Sequence, residues 1–209
     1  MISLYFKNIE DVWFGTACDD RKVFATAFAF NETRTLQDLL KNIPFNVPFQ
    51  YSEKASVFAM RVIAALKNIY DGKDISHSFS LEKEPLSNYA RTVIETVSLI
   101  PPGYVASYGS VAKIAGGSPR AVGRVMALNP FPLIVPCHRV VRSDFKLGGY
   151  GVGLDVKFAI LRRESKGYTS EREISVDNKK LSIFPVEFVL ERLERRNINS
   201  FRHAIVSAR

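Results

Sequence analysis

The stretch Asn129-Pro130-Phe131-Pro132-Leu133-Ile134-Val135-Pro136-Cys137-His138-Arg139-Val140-Val141 decides how this chain is read. Leu133-Ile134-Val135 is an apolar run bounded by prolines, which predicts a rigid buried strand leading to Cys137. A cysteine followed by histidine and arginine sits in an electropositive setting. Such surroundings lower a thiol pKa from its usual value of ~8.5 and raise the fraction of thiolate, the nucleophilic form. The plain alternative is a small buried hydrophobe, which is the reading given to Cys18 in an alternating strand. Downstream, Gly148-Gly149-Tyr150-Gly151-Val152-Gly153 predicts a loop whose backbone approaches closely enough to cover a flat ligand.

Working upstream, the chain becomes helical. Leu86–Leu99 is a predicted helix ended by Ile100-Pro101-Pro102-Gly103, and Ser110–Ala115 is a second that breaks at Gly116-Gly117. Ser118-Pro119 then supplies a capping hydroxyl and a first-turn proline for a third, running to Leu128 and stopping at Asn129-Pro130. Two short helices around a glycine turn form a helix-turn-helix pattern, although the same pattern fits a helix pair packed in an ordinary core. On the last helix Arg120, Gly123, Arg124 and Ala127 share one face, which is basic and nearly flat.

The amino-terminal part predicts two strands, Val12–Cys18 and Val23–Phe30, joined by a polar turn. Two helices follow: Thr33–Leu40, capped by Thr33 or Thr35, and Ser52–Tyr70, with its apolar residues at helical spacing. Residues 71–85 are polar and end in proline, as a linker does. Near the end, Ile183–Leu193 predicts an amphipathic helix with Arg192, Arg195 and Arg196 on its polar side, docked on the rest.

Of the 209 residues 46% are hydrophobic and 11% aromatic, enough for a buried core, which excludes a mainly disordered chain. Basic residues outnumber acidic ones by 29 to 21, and the whole excess lies after residue 84. A basic half beside a near-neutral half points to a polyanionic partner, nucleic acid ahead of membrane. No apolar run approaches the ~18 residues of a membrane span, and the first residues lack a secretory pattern. An intracellular chain with reduced thiols is therefore expected. Cys18 and Cys137 offer no disulfide framework, and with His77, His138 and His203 they show no metal-ligand spacing, so no metal is expected.

The stretch around Cys137 resembles the active-site signature of the O6-alkylguanine-DNA alkyltransferases, also called methylated-DNA–protein-cysteine methyltransferases. Ser107-Tyr108, Ser118-Pro119-Arg120-Ala121-Val122-Gly123, the Gly-Gly-Tyr loop and Leu154-Asp155-Val156-Lys157 through to Glu164 agree with it. The resemblance implies an α/β amino-terminal domain (1–84) and a mainly helical, winged-helix-like helix-turn-helix domain (85–166). Residues 167–209 would be a carboxy-terminal extension. It implies a monomer that flips O6-alkylguanine, chiefly O6-methylguanine, out of duplex DNA and moves the alkyl group irreversibly to Cys137, once per molecule and without a cofactor.

The same resemblance assigns roles. His138 would act through a water as base, Glu164 would orient it, and Asn129 would brace the turn before the cysteine. Tyr108 would donate to guanine N3. Arg120 would enter the duplex in place of the extruded base, with Ala121, Gly123, Arg124 and Ala127 against the backbone and Ser143 on a phosphate. Met126, Pro132 and Tyr150 would wall the guanine pocket, and the carbonyls of Cys137 and Val140 would accept from the exocyclic amine. Gly151 stands where many relatives have serine, so its N–H replaces a hydroxyl contact. Val152 replaces a frequent glycine, which predicts that methyl is handled better than benzyl.

Three rivals carry less. A non-catalytic damage-binding relative would lack Cys137, and a helix-turn-helix regulator would leave the thiol unexplained. A cysteine hydrolase would need a distant, oriented histidine, and neither His77 nor His203 carries that signal.

Overall fold

Alternation of buried and exposed residues along Ile2–Ile9 (β1) lets it pair with Val12–Cys18 (β2), which pairs in turn with Lys22–Ala29 (β3), all antiparallel. The computed structural model describes residues 1–43, 48–51, 54–75 and 78–194. Glu10 and Asp11, with φ of 53° and 63°, make the tight β1–β2 turn, whose two left-handed positions match the twist of the ribbon. The Asp19 carboxylate accepts from the N–H groups of Arg21 and Lys22 and so shapes the next turn. Two short parallel strands complete the sheet in the order β4-β1-β2-β3-β5: Phe49–Tyr51 (β4) and Ser80–Leu81 (β5). The stretch 71–85, expected as a linker, thus contributes a sheet strand.

Each face of this sheet takes one helix. Glu32–Leu40 (α1) covers Ile2, Leu4, Phe6, Ala17, Ala25 and Ala27. Its cap is Asn31, whose side chain accepts from Arg34 N, rather than Thr33 or Thr35; Thr35 is buried and donates to the Asn31 carbonyl instead. Helix and sheet meet over Gly15, where a Cβ would lie 2.8 Å from Leu39 and Phe6, so no larger residue fits. Val57–Tyr70 (α2) covers the other face through Val62, Ile63, Leu66 and Ile69 against Phe14 and Phe28. It begins after a Ser56 cap, later than the expected start at Ser52, which lies outside the described residues.

The second half packs Asn88–Ser98 (α3), Tyr108–Ala115 (α4) and Pro119–Ala127 (α5) against one another, each opened by a serine cap: Ser87, Ser107 and Ser118. Because Ser107 is the cap, α4 starts earlier than its expected Ser110 and Tyr108 becomes its first residue. The strand expected at Leu133–Val135 does not form. Leu133 is buried with φ of 73°, Val135 N–H bonds back to the Phe131 carbonyl, and the chain turns instead of extending. Cys137–Arg139 is a 3-10 turn, and only Val140–Val141 (β7) is strand.

Beside β7 lies Tyr104–Ser107 (β6), followed in the sheet by a hairpin of Lys179–Pro185 (β9) and Arg172–Val176 (β8), giving the order β7-β6-β9-β8. The helix expected from Ile183 therefore begins later, over residues 186–194, because Leu181, Ile183 and Pro185 are buried in the sheet. Arg195, Arg196, His77 and His203 lie outside the described residues. Leu154–Glu164 (α6) ends against α2: the Arg163 guanidinium sits 4.4 Å from the Tyr70 ring centroid and donates to the Tyr70 carbonyl. One apolar core runs unbroken from Phe14 and α2 through α3–α5 to Phe131 and Cys137.

Candidate active site

The turn before Cys137 is fixed from two directions. Asn129 donates through Nδ2 to the Val135 carbonyl at 3.1 Å and accepts at Oδ1 from Phe131 N–H at 3.0 Å. From the amino-terminal sheet, Thr26 donates its N–H to the Pro130 carbonyl and its hydroxyl to the Pro132 carbonyl, both at 2.9 Å. A buried turn with its carbonyls so engaged cannot drift, and the left-handed Leu133 is strain these bonds over-determine.

Cys137, 8% exposed, emerges from this turn. Burial pushes its thiol above the ordinary range, while a hydrogen bond from the Asn129 side chain and the charge of Lys157 pull it back. The setting is thus less electropositive than the adjacent His138 and Arg139 suggest, because both turn away from the sulfur toward Glu164. Arg139 Nε lies 3.1 and 3.0 Å from the two Glu164 oxygens, Nη2 lies 2.7 Å from Oε1, and Nη1 donates to the Ile100 carbonyl. His138 Nε2 lies 3.0 Å from the same Oε1.

The protonation of this trio follows from its surroundings. Burial lowers the His138 pKa despite the neighbouring carboxylate, so the ring is neutral at neutral pH. Burial alone would raise Glu164, but His138 and Arg139 hold it at about 2. A neutral imidazole beside a carboxylate donates from Nε2, which leaves Nδ1 as lone-pair acceptor. Among the described residues Nδ1 is buried without a hydrogen-bond partner, so its lone pair can take a proton.

Cys137 opens into a cleft of about 740 Å³ that reaches from the pocket loop to the amino-terminal sheet. Of the sequence-expected residues, Tyr108, Gly123, Met126, Ala127, Asn129, Pro132, Tyr150, Gly151 and Val152 line it with the cysteine. Tyr108 packs beside Gly123 and against Gly148, whose added Cβ would lie 2.9 Å from the phenol ring. Arg120, Arg124 and Ala127 are exposed on α5 and Ala121 is half-buried, while Val122 and Met126 face inward. Ser143 is exposed on a separate turn. Val140 is fully buried and its carbonyl, expected to meet the substrate, already accepts from Lys157 Nζ at 2.6 Å.

Several residues escaped the sequence reading. Thr26, Ala27, Phe28 and the rim side chains Arg34, Asp38 and Lys41 bring the amino-terminal half into the cleft. Lys157 is a buried cation near Cys137, and Arg139, read from the sequence only as part of an electropositive setting for the thiol, gives its charge to Glu164 instead. A signal for Lys157 did exist: with Ile160, Leu161 and Glu164 it falls at helical spacing on the buried face of α6.

Comparison with known proteins agrees with this geometry. Residues 88–166 match the family model of the DNA-binding domain of 6-O-methylguanine DNA methyltransferase. The methylated-DNA–protein-cysteine methyltransferase of Methanothermobacter thermautotrophicus is 39% identical over 105 residues, 50% of this chain and 60% of that protein. That match therefore spans less than two thirds of the relative. The namesake of Thermococcus kodakarensis is 32% identical over 165 residues, 76% of this chain and 92% of that one. Among solved structures, Mycobacterium tuberculosis OGT in complex with DNA superposes with a TM-score of 0.62 at 25% identity, covering 78% of this chain and 92% of that chain. The fold is thus that of the O6-methylguanine-DNA methyltransferase structures. This chain belongs to the methylated-DNA–protein-cysteine methyltransferase family.

Proposed function

We propose that this protein reverses O6-alkylguanine damage in duplex DNA by moving the alkyl group onto Cys137, once per molecule, as a monomer inside the cell. The observation that carries the reading is the buried Glu164–His138 pair behind a cysteine that opens into a cleft beside α5. The thiol gives its proton, through a bridging water, to His138 Nδ1, while Glu164 fixes the tautomer that makes Nδ1 basic. The S–C bond forms as the C–O6 bond breaks, and the electron pair leaves with guanine. Tyr108 donates a proton to the departing base, and the proton taken by His138 replaces it through solvent. The thioether is stable, so the cysteine is not regenerated.

In this reading α4 and α5 act as a helix-turn-helix against the minor groove. Base extrusion costs a few kcal/mol of stacking and pairing, offset by Arg120 entering the duplex. Arg124 and Ser143 meet phosphates, and the small Gly123 and Ala127 let the helix approach closely, so binding weakens with salt and depends little on sequence. Met126, Pro132 and Tyr150 hold the base, with the Gly151 N–H and the Cys137 carbonyl as polar contacts. The test is incubation with an oligonucleotide carrying O6-methylguanine, followed by peptide mass analysis. One methyl on the peptide that holds Cys137, absent in Cys137→Ser, is expected; no transfer by the native protein refutes the reading.

A further inference from the structure

Lys157 is buried at 0% exposure on α6, yet among the described residues no carboxylate pairs with it. Its ammonium donates to the carbonyls of Val140 and Leu147 at 2.6 Å each and lies 3.5 Å from that of Gly149. Buried cations ordinarily sit against an anion, since carbonyl dipoles alone do not restore the lost hydration. The other buried cation beside the nucleophile, Arg139, has its carboxylate in Glu164. Burial pushes the Lys157 ammonium down to about 8, and the Cys137 thiolate, when it forms, is the charge that pulls it back up.

The three carbonyls are informative by position. Val140 follows directly on the 3-10 turn that carries Cys137, and Leu147 and Gly149 lead into Tyr150, Gly151 and Val152 of the cleft wall. One ammonium therefore ties the nucleophile's strand to the pocket loop. We propose that Lys157 is the positioning residue of this site, clamping the pocket loop to the active-site strand and serving as counter-charge to the Cys137 thiolate. The assignment deepens the alkyl-transfer reading and rests on it for its purpose, although its test needs no DNA.

The test is the pH dependence of Cys137 alkylation by iodoacetamide, read on the peptide that holds it, in wild type and Lys157→Met. The groups facing the thiol are Lys157, Tyr108, Tyr150 and His138, with the Glu164–Arg139 pair behind; the substitution removes the charge of the first and no other charge. The inflection is expected to move up by about one pH unit, with about tenfold slower reaction at neutral pH and an unchanged plateau in alkali. A folded Lys157→Met protein with an unmoved inflection overturns the proposal, and it does so whether or not guanine is the natural donor. If that variant does not fold, the wild type decides. Amide hydrogen exchange of residues 147–149 in the wild type, corrected for its intrinsic pH dependence, should accelerate as pH rises past about 8, where the ammonium that holds their carbonyls loses its proton. Equal protection below and above that pH overturns the proposal.

Discussion

Replacing Glu164 by glutamine keeps the shape of a fully buried side chain and removes its charge, leaving Arg139 without an anion. Burial favours the neutral acid, but His138 and Arg139 more than reverse this and hold the folded-state pKa at about 2, against 4.5 for the free group. At about 1.4 kcal/mol per unit, that difference is worth roughly 3 kcal/mol of folding stability. Removing one partner of a buried pair independently costs roughly 3–5 kcal/mol, so the two routes agree. For a chain of this size the loss corresponds to a Tm lower by roughly 10 °C.

The pH dependence is fixed in sign. Because the folded carboxyl takes its proton at lower pH than the unfolded one, its contribution is complete above about 4.5 and drains away as pH falls toward 2. Urea unfolding of wild type and Glu164→Gln should show the full gap at pH 7 and a narrowing gap between pH 5 and pH 2.5. Arg139 Nη2 donates to the same oxygen that His138 Nε2 faces, so glutamine keeps its carbonyl there, and what is lost is the negative charge that stabilises an imidazolium when Nδ1 takes a proton. Alkyl transfer at neutral pH should fall by about 100-fold or more. A gap below about 1 kcal/mol at pH 7, or one that stays constant down to pH 2.5, would refute the assignment of Arg139 as the partner that keeps Glu164 ionised.

Gly148→Ala meets two obstacles, a φ of 70° and a Cβ 2.9 Å from the Tyr108 ring. It should cost about 2–4 kcal/mol and slow transfer by displacing the phenol; thermal unfolding at wild-type temperature would contradict this. Val152→Gly should raise the rate on O6-benzylguanine relative to O6-methylguanine oligonucleotides, because Val152 lines the cleft beside Cys137. An unchanged ratio of the two rates would show that Val152 does not limit the pocket.

How much of this was legible in the sequence depends on whether the decisive contact is local. Among the described residues five helices have a side-chain cap, each a serine or asparagine, and Ser118-Pro119 placed the start of α5 to the residue. Strand β1 was not read, although its alternation is plain, because the Glu10-Asp11 turn that follows it has neither glycine nor asparagine to announce it. Leu133-Ile134-Val135 misled for the opposite reason. Its residues favour strands, but the bonds that Thr26 and Asn129 send into this region come from far away in sequence or from side chains, and they hold it as a turn. The resemblance carried Cys137, His138, Glu164 and Tyr108 onto positions that the fold does bring together. It gave no role to Arg139 or Lys157, whose importance lies in what faces them.

Those two omissions share one cause, and it concerns α6. Lys157 and Glu164 stand seven residues apart on its buried face, roughly 10.5 Å along the axis, with Ile160 and Leu161 between them. Each reaches the segment Cys137–Val140 from a different side: Glu164 holds His138 and Arg139, and Lys157 holds the carbonyl of Val140. A cation and an anion on an apolar stripe are costly apart from their partners, and both find one within residues 138–140. The helix therefore has one low-energy seat, the one in which the 3-10 turn is present, with Glu164 against His138 and Arg139 and Lys157 against the Val140 carbonyl. The chemistry of Cys137 is set less by its sequence neighbours than by a helix that begins 17 residues downstream.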